Sequence, residues 1–254
     1  SDVYKRQGFG LAAILAGALV ENYGLKMAFW GGSVLLFLNL LVSQKLHHNL
    51  SQERTEIRRG ARALLQNRQW VLFLVLAFAG GLNVSATNNY FLSYMNELGA
   101  RESMMGVALM MGTLAEIPIL FYANHILKRF QPYNLVILTI IFSAIRLLLF
   151  AAISNPWLAF PVQLLNGLGF PLMWLAAVAY ADQYAPPGLN ATVQGLFGAM
   201  VGGVGLAVGG FFGGLLLDAL GGRGMFLVFG LAILIIAIIV TLMGKRPSPQ
   251  PNLS

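Results

Sequence analysis

Cysteine is absent from the 254-residue chain, and charged residues make up only 10% of it. Without cysteine the protein has no disulfides and no thiolate metal sites. The three histidines, His47, His48 and His125, lie in predicted polar loops and lack the spacing of metal ligands. A soluble domain normally carries about 25% charged residues, so the low charge argues against an ordinary water-soluble fold.

Apolar residues, in contrast, make up 57% of the chain and occur in long continuous blocks. These blocks are roughly 17 to 25 residues long, the length that a helix needs to cross about 30 Å of hydrocarbon. Only helices and closed barrels satisfy all backbone polar groups in lipid. The alternation of apolar and polar residues that marks barrel strands is missing. The sequence therefore predicts an all-α membrane protein.

The apolar blocks predict eight transmembrane spans, of which the first is short. A polar segment, 44–69, divides two spans from the remaining six, and residues 1–7 are set aside as a non-native leader. The eight predicted spans are 8–20, 27–43, 70–93, 103–123, 134–153, 157–181, 192–216 and 224–243.

Basic residues are distributed unequally between the two sides of this arrangement. Alternating spans place ten lysines and arginines on one side, and only Lys26, Arg101 and Arg223 on the other. The positive-inside rule then places segment 44–69 and the proline-rich tail 244–254 in the cytoplasm, with the tail expected to be disordered. The net charge of +7 is thus explained by topology and lipid headgroups, and no nucleic-acid partner is expected. The ten residues are Lys45, Arg54, Arg58, Arg59, Arg62, Arg68, Lys128, Arg129, Lys245 and Arg246.

An internal repeat relates two hairpins of the chain. The stretch from Gly17 to Phe29 aligns without a gap to the stretch from Gly214 to Phe226, matching two glycines, an acid, a base and a phenylalanine. Six spans separate the two copies, so both have the same orientation in the membrane. This indicates two six-helix halves related by an axis along the membrane normal.

The repeat also assigns the spans to the two halves. Residues 70–243 would form the complete C-terminal half, and residues 8–43 the last two helices of the N-terminal half. The chain is therefore expected to be a fragment whose partners include the missing N-terminal helices of the same protein.

The chain from Gly8 to Gly244 resembles the major facilitator superfamily. The resemblance rests on the glycine, acid, glycine, base and aromatic pattern of the repeat, and on the basic loop from Asn124 to Phe130. It implies a transporter that works by alternating access between two halves.

Shorter motifs resemble the lactose-permease-like branch of that superfamily, which includes nucleoside–proton symporters and phenylpropionate permeases. They are Ala115-Glu116-Ile-Pro118, Ala144-Ile-Arg146-Leu, the stretch 177–187 and the stretch 191–195. The resemblance leaves sugars, nucleosides and aromatic acids open as solutes.

Glu116 and Arg146 are the ionisable groups predicted to lie well inside spans. At 1.5 Å per residue they lie roughly 10 Å and 18 Å from the inner face, where a charge costs about 2.5–3.5 kcal/mol. Glu116 is the candidate proton-coupling site, with Arg146 as its electrostatic partner, and the resemblance implies the same roles. The alternative is a fixed salt bridge that joins two helices.

Two polar sets are candidates for substrate binding. Asn83, Thr87 and Tyr90 recur on one helical face, followed by Tyr94, which alternatively belongs to an interfacial aromatic belt. Contacts between helices, each worth about 0.6 kcal/mol, are the alternative explanation for such a stripe. The second set comprises Gln163, Asn166 and Trp174.

The eleventh span of the presumed twelve has glycines at three- and four-residue intervals. Small residues at this spacing allow two helices to approach closely, whereas a nucleotide-binding loop would need different spacing and a preceding strand. The glycines are therefore predicted to pack against a neighbouring helix. They are Gly198, Gly202, Gly205, Gly209 and Gly213.

These features favour a proton-coupled symporter of a small organic solute in the cell membrane. A proton-driven efflux antiporter of the same fold and a non-transporting receptor on the same scaffold remain alternatives. The sequence shows no Walker motif, nucleophile elbow or metalloprotease signature, so no enzymatic activity, catalytic residue, metal or cofactor is expected. The expected partners are the solute, protons and the lipid bilayer.

Overall fold

The fold was analysed in a computed structural model, which describes residues 30, 31, 33, 34, 37, 41, 62, 64–185 and 189–244. The chain divides into two units, Ser1–Arg54 and Thr55–Ser254. The six described residues of the first unit are helical and belong to the predicted span 27–43. The leader, the span 8–20 and residues 245–254 lie outside the described residues, as does most of segment 44–69.

The second unit begins with three long helices. The side chain of Asn67 caps the first of them, because its Oδ1 accepts hydrogen bonds from the backbone of Gln69 at 2.9 Å and of Trp70 at 3.4 Å. A left-handed Gly99 (φ 78°) ends the turn after that helix. The three helices are α1 (Arg68–Glu97), α2 (Glu102–Arg129) and α3 (Pro132–Ala152).

The next membrane-length segment is irregular. It contains two short 3₁₀ turns, Pro156–Leu158 and Leu165–Leu168, on either side of α4 (Ala159–Leu164), and it ends with α5 (Phe170–Tyr184). The last segment contains α6 (Asn190–Gly198), a π-helical stretch (Ala199–Gly205) and α7 (Leu206–Met243).

Five helical runs among the described residues are long and apolar enough to cross a membrane. Large apolar side chains cover much of their outer surface, as lipid contact requires; Phe121 and Leu242, for example, are both 81% exposed. The predicted class, an all-α membrane fold, is confirmed. The fifth run, Asn190–Met243, has 54 residues, roughly twice the length of one span.

The chain reverses direction within this long run. Gly209, Gly213 and Gly222 pack in turn against Ser85, Tyr90 and Tyr94, so the first part of α7 is parallel to α1. Beyond it, Gly230 packs against Leu148 and Gly244 against Tyr133, so the second part is antiparallel to α3.

Helices α1 and α3 are themselves parallel, since Gly80 contacts Ile140 and the ring of Phe91 lies 5.2 Å from that of Phe150. The reversal occurs at Gly221, whose backbone angles (φ 69°, ψ 174°) are open essentially to glycine alone. The five helical runs overlap the six predicted spans between residues 70 and 243, and the fifth run covers the last two of them.

Buried aromatic side chains hold these helices together. The ring of Phe73 on α1 lies 4.7 Å from Tyr180 on α5 and 5.7 Å from Phe197 on α6. Tyr94 is 1% exposed, and its hydroxyl donates to the backbone oxygen of Phe150 at 2.6 Å. Tyr94 is therefore part of the core, and the alternative of an interfacial aromatic belt is wrong for this residue.

Candidate functional site

The centre of the candidate site is the place where the helix that follows α3 is interrupted. Pro171 has no backbone N–H to donate to the carbonyl of Gly167, so one helical hydrogen bond is missing in this turn. Gly169 adopts a non-helical conformation (φ −91°, ψ −105°) between the second 3₁₀ turn and α5. The interruption places Asn166, in that turn, between α2 and α3.

Glycines allow α2 to approach this interruption closely. A Cβ atom added to Gly167 would lie 2.1 Å from the backbone oxygen of Ala115, which is too close for any side chain. A Cβ at Gly112 would lie 3.3 Å from Oε1 of Gln163. Both contacts bring the turn of α2 that contains Glu116 against the interrupted helix.

Arg146 on α3 is 4% exposed, and its guanidinium is held by two neutral amides. Its Nη1 donates to Oδ1 of Asn166 at 2.7 Å, and its Nη2 donates to Oε1 of Gln163 at 2.6 Å. The guanidinium carbon also lies 5.3 Å from the centre of the Phe150 ring, a cation–π distance. The Nε atom of Arg146 is buried without a hydrogen-bond partner.

Asn166 connects this arginine to Glu116. Its Nδ2 donates to Oε1 of Glu116 at 2.7 Å and lies 3.4 Å from the backbone oxygen of Gly112. The chemistry of the two partners fixes the amide orientation, because the guanidinium can only donate and the carboxylate accepts. Glu116 and Arg146 thus interact through one amide and form no direct salt bridge in this structure.

The carboxylate of Glu116 reduces the electrostatic cost of burying the Arg146 guanidinium. A fully buried guanidinium without a nearby negative charge would be costly in a membrane interior. Here Glu116 supplies the negative charge, separated from the guanidinium by the amide of Asn166. Glu116 is itself only partly buried. The four side chains, Glu116, Asn166, Arg146 and Gln163, form a continuous chain of hydrogen bonds across α2, the interrupted helix and α3. We call this chain the Glu116–Gln163 network.

The other predicted binding residues lie in different environments. Thr87 donates its hydroxyl to the backbone oxygen of Asn83, in its own helix, at 2.9 Å. Tyr90 donates to the backbone oxygen of Gly210 on α7. The Tyr90 contact corresponds to the interhelical alternative for the polar stripe, whereas the Thr87 contact lies within its own helix. None of the α1 residues contacts the Glu116–Gln163 network through a described hydrogen bond.

Asn83 and Trp174 differ in how much of the side chain is accessible. Asn83 is 2% exposed, and its Oδ1 is buried without a hydrogen-bond partner. Trp174 is 40% exposed and contacts the rings of Phe170 and Phe197 at 5.8 Å and 5.0 Å. A ligand could therefore contact the exposed part of Trp174, whereas Asn83 is enclosed.

Two further polar contacts join helices without having been predicted from the sequence. Ser85 on α1 donates to the backbone oxygen of Leu206 at 3.2 Å and accepts from Asn89 at 3.1 Å. At the opposite end, Gln194 donates to Asp182 at 2.9 Å, which joins α6 to α5. The spacing of four between Ser85 and Asn89 is the only sequence signal for the first contact, and none distinguishes the second.

Comparison with known proteins places this architecture among described families. Residues 4–228 match the family described as MFS_1 like. An uncharacterized transporter, YwbF of Bacillus subtilis (strain 168), is 24% identical over 88% of this chain and 56% of its own length. The maltose permease of Geobacillus stearothermophilus is 26% identical over 94% of this chain and 61% of its own length.

Vertebrate proteins and a solved structure are also similar. A major facilitator superfamily domain-containing protein 6-like protein of Danio rerio is 28% identical over 86% of this chain and 42% of its own length. The crystal structure of a mutant of the nucleoside transporter NupG superposes with a TM-score of 0.68 at 18% identity, over 92% of this chain and 64% of that one.

The chain thus spans between about two-fifths and three-fifths of the length of these curated relatives. The family match covers most of the chain, and the structural likeness confirms the fold. The resemblance inferred from the repeat and the basic loop is confirmed: the chain belongs to the MFS_1 like family of the major facilitator superfamily.

Proposed function

We propose that the whole protein is a secondary active transporter that couples proton movement to the symport of a small organic solute. Alternating access between two six-helix halves would carry the solute across the cell membrane. The names of relatives support a small solute: one is a maltose permease and another a nucleoside transporter. A sugar, a nucleoside or an aromatic acid is the proposed class of substrate.

The observation that carries this proposal is the Glu116–Gln163 network. Glu116 is a carboxylate that is partly accessible, and it is connected by Asn166 to a buried guanidinium. Hydrogen bonds to charged groups are shorter and roughly twice as strong as neutral ones. Protonation of Glu116 would therefore weaken its bond with Asn166 and leave the charge of Arg146 without its nearest compensation.

The location of Asn166 gives this change a mechanical consequence. Asn166 lies in the 3₁₀ turn Leu165–Leu168, where the helix is already interrupted by Gly169 and Pro171. A weaker bond to Glu116 would loosen the contact between α2 and that turn. We propose that this contact changes as the transporter alternates between inward-open and outward-open states, so that proton binding and solute movement are linked.

The solute would bind beside the network rather than within it. Gln163 and Asn166 are engaged with Arg146, and Thr87 and Tyr90 with backbone oxygens. Trp174, which is 40% exposed, is the proposed contact for the solute, whereas Asn83 is buried in this structure. Helices of the first half, which the internal repeat predicts, would form the other side of the cavity.

Transport assays with the full-length protein in right-side-out membrane vesicles test this proposal. With an acidic exterior, we expect labelled solute to accumulate above its outside concentration, and a protonophore to abolish the accumulation. Accumulation that persists with the protonophore would contradict proton coupling. Proton-driven export in the opposite direction would favour the efflux antiporter, and no flux under any gradient would favour the receptor.

The positive-inside distribution predicts that an added C-terminal tag is accessible only from the cytoplasmic side.

A further inference from the structure

A cleft of about 340 Å³ opens on the surface where α3 ends and the second part of α7 begins. Two leucines at its edge, Leu220 and Leu227, are 55% and 46% exposed, so the cleft opens outward from the bundle. Its walls are apolar apart from one charged side chain, Arg223. The lining residues are Leu148, Ala151, Ala152, Leu220, Arg223, Gly224 and Leu227.

Arg223 is fixed at this cleft by the end of α3. Its Nε donates to the backbone oxygen of Ala151 at 2.7 Å, and its Nη2 lies 3.3 Å from that of Ala152. The last carbonyls of a helix lack partners within the helix, and a cation there also interacts favourably with the helix dipole. The position of the guanidinium is therefore determined by the protein and does not depend on a ligand.

The same guanidinium keeps unused donors. A guanidinium has five N–H groups, and the two contacts with α3 use two of them. Arg223 is exposed, and within residues 64–185 and 189–244 no carboxylate forms a salt bridge with it. Of the acidic residues at the same end, Glu97 accepts from the backbone N–H of Gly222 at 2.8 Å, and neither Asp218 nor Glu102 forms a salt bridge with Arg223. Among the described residues, Arg223 thus presents a positive charge with no salt-bridge partner at the rim of an apolar cleft.

We propose that this cleft binds an anionic phospholipid. The phosphate would accept hydrogen bonds from the free N–H groups of Arg223, and one acyl chain would lie against Leu148, Leu220 and Leu227. A guanidinium can donate two parallel N–H groups to the oxygens of one phosphate, a strong and specific contact. A free phosphate ion would gain nothing from the apolar walls and would find only one cation, so the cleft favours the lipid over the ion.

The location agrees with a headgroup site. Arg223 lies level with the last residues of α3, where a spanning helix reaches the interface between hydrocarbon and headgroups. Leu227 follows one turn later and lies further into the hydrocarbon region. The cation and the apolar wall are therefore ordered along the membrane normal as the headgroup and chain of one lipid would be.

Native mass spectrometry of the purified full-length protein in detergent tests this proposal, with dioleoylphosphatidylglycerol as the lipid. Arg223→Gln removes the charge, whereas Leu227→Trp fills the cleft without changing any charge. We expect each variant to raise the dissociation constant of the tightest-bound lipid by about tenfold or more. Arg101→Gln, which removes an exposed arginine outside the cleft, should change it less than about twofold.

Two further arms separate this site from simpler explanations. Arg223→Lys keeps the charge and should bind the lipid more tightly than Arg223→Gln. Inorganic phosphate at millimolar concentration should not displace the lipid. Equal effects of Arg101→Gln and Arg223→Gln, or displacement by phosphate, would overturn the proposal. If Arg223→Gln unfolds because the end of α3 loses its cap, the test rests on Leu227→Trp. Unchanged lipid binding by folded Leu227→Trp would then overturn the proposal. The outcome is independent of whether the protein transports a solute.

Discussion

The amide of Asn166 lies between Glu116 and Arg146, at 2.7 Å from each. The charge pair that the sequence places in two neighbouring spans is therefore mediated by a third helix. Because Asn166 donates to Glu116 and accepts from Arg146, a change in the charge of either group alters the hydrogen bonds of the same amide. This relationship is the basis of the first two predictions.

Asn166→Leu should uncouple the two charges and destabilise the fold. It leaves Arg146 with an unpaired N–H in a buried site, and we expect the free energy of unfolding to fall by about 1.5–3 kcal/mol. Asn166→Asp supplies an acceptor for Arg146 but places a second carboxylate against that of Glu116, so the two carboxyl groups must repel or share a proton. It should recover only part of the stability and should not recover uphill uptake. Thermal unfolding in detergent and uptake in vesicles, measured together, check both parts; an Asn166→Asp variant that transports like the wild type would contradict the bridge.

Arg146→Lys should be destabilising although the charge is kept. The arginine reaches two different amides with one planar fork, and a lysine ammonium cannot reproduce that geometry. Loss of one charge-assisted bond predicts a decrease of about 1–3 kcal/mol in the free energy of unfolding. Arg101→Lys is the matched control, since Arg101 is exposed and its side chain makes no capping bond. A change beyond about 0.5 kcal/mol is not expected there, and equal effects at both positions would refute the prediction.

The glycines of the eleventh span should divide into two groups when replaced by alanine. A Cβ at Gly205 would lie 2.7 Å from the Cα of Gly81, which is backbone and cannot move aside. Gly202, in the same π-helical stretch, has no neighbour within 4 Å. We expect Gly205→Ala to cost about 1–3 kcal/mol and Gly202→Ala to be close to neutral or stabilising. Unfolding measurements that show the same loss for both would mean that the π-helical stretch does not pack against α1 as described.

The sequence predicted the approximate positions of the described helical runs, but not the 3₁₀ and π-helical stretches within them. Apolar blocks of membrane length mark the spans because lipid leaves few alternatives to a helix. The end of α2 at Arg129 lies six residues beyond the predicted end at 123, since a helix can continue into the polar interface where hydropathy no longer marks it. The glycine repeat correctly predicted close packing, but of its five glycines only Gly205, Gly209 and Gly213 contact α1. The π-helical stretch turns the earlier glycines of the repeat to a different face of the helix.

The candidate site was only partly predictable. Glu116 and Arg146 are conspicuous in sequence because charges inside apolar spans are rare. Asn166 was predicted as a contact for solute, whereas the structure places it in the Glu116–Gln163 network. The signal for its position was present in Gly167, Gly169 and Pro171, which predict an interrupted helix. The packing of α2 determines which charged group lies beside the interruption. This packing involves residues far apart in the sequence, so local motifs do not predict it.

Proton coupling at Glu116 is tested most directly by comparing two modes of transport in one variant. In Glu116→Gln the amide can still contact Asn166 but cannot take up or release a proton. For the full-length protein in vesicles we therefore predict that Glu116→Gln loses uphill, proton-driven uptake but still exchanges labelled for unlabelled solute across the membrane. Uphill uptake by Glu116→Gln that matches the wild type and is still abolished by a protonophore would contradict proton coupling at Glu116.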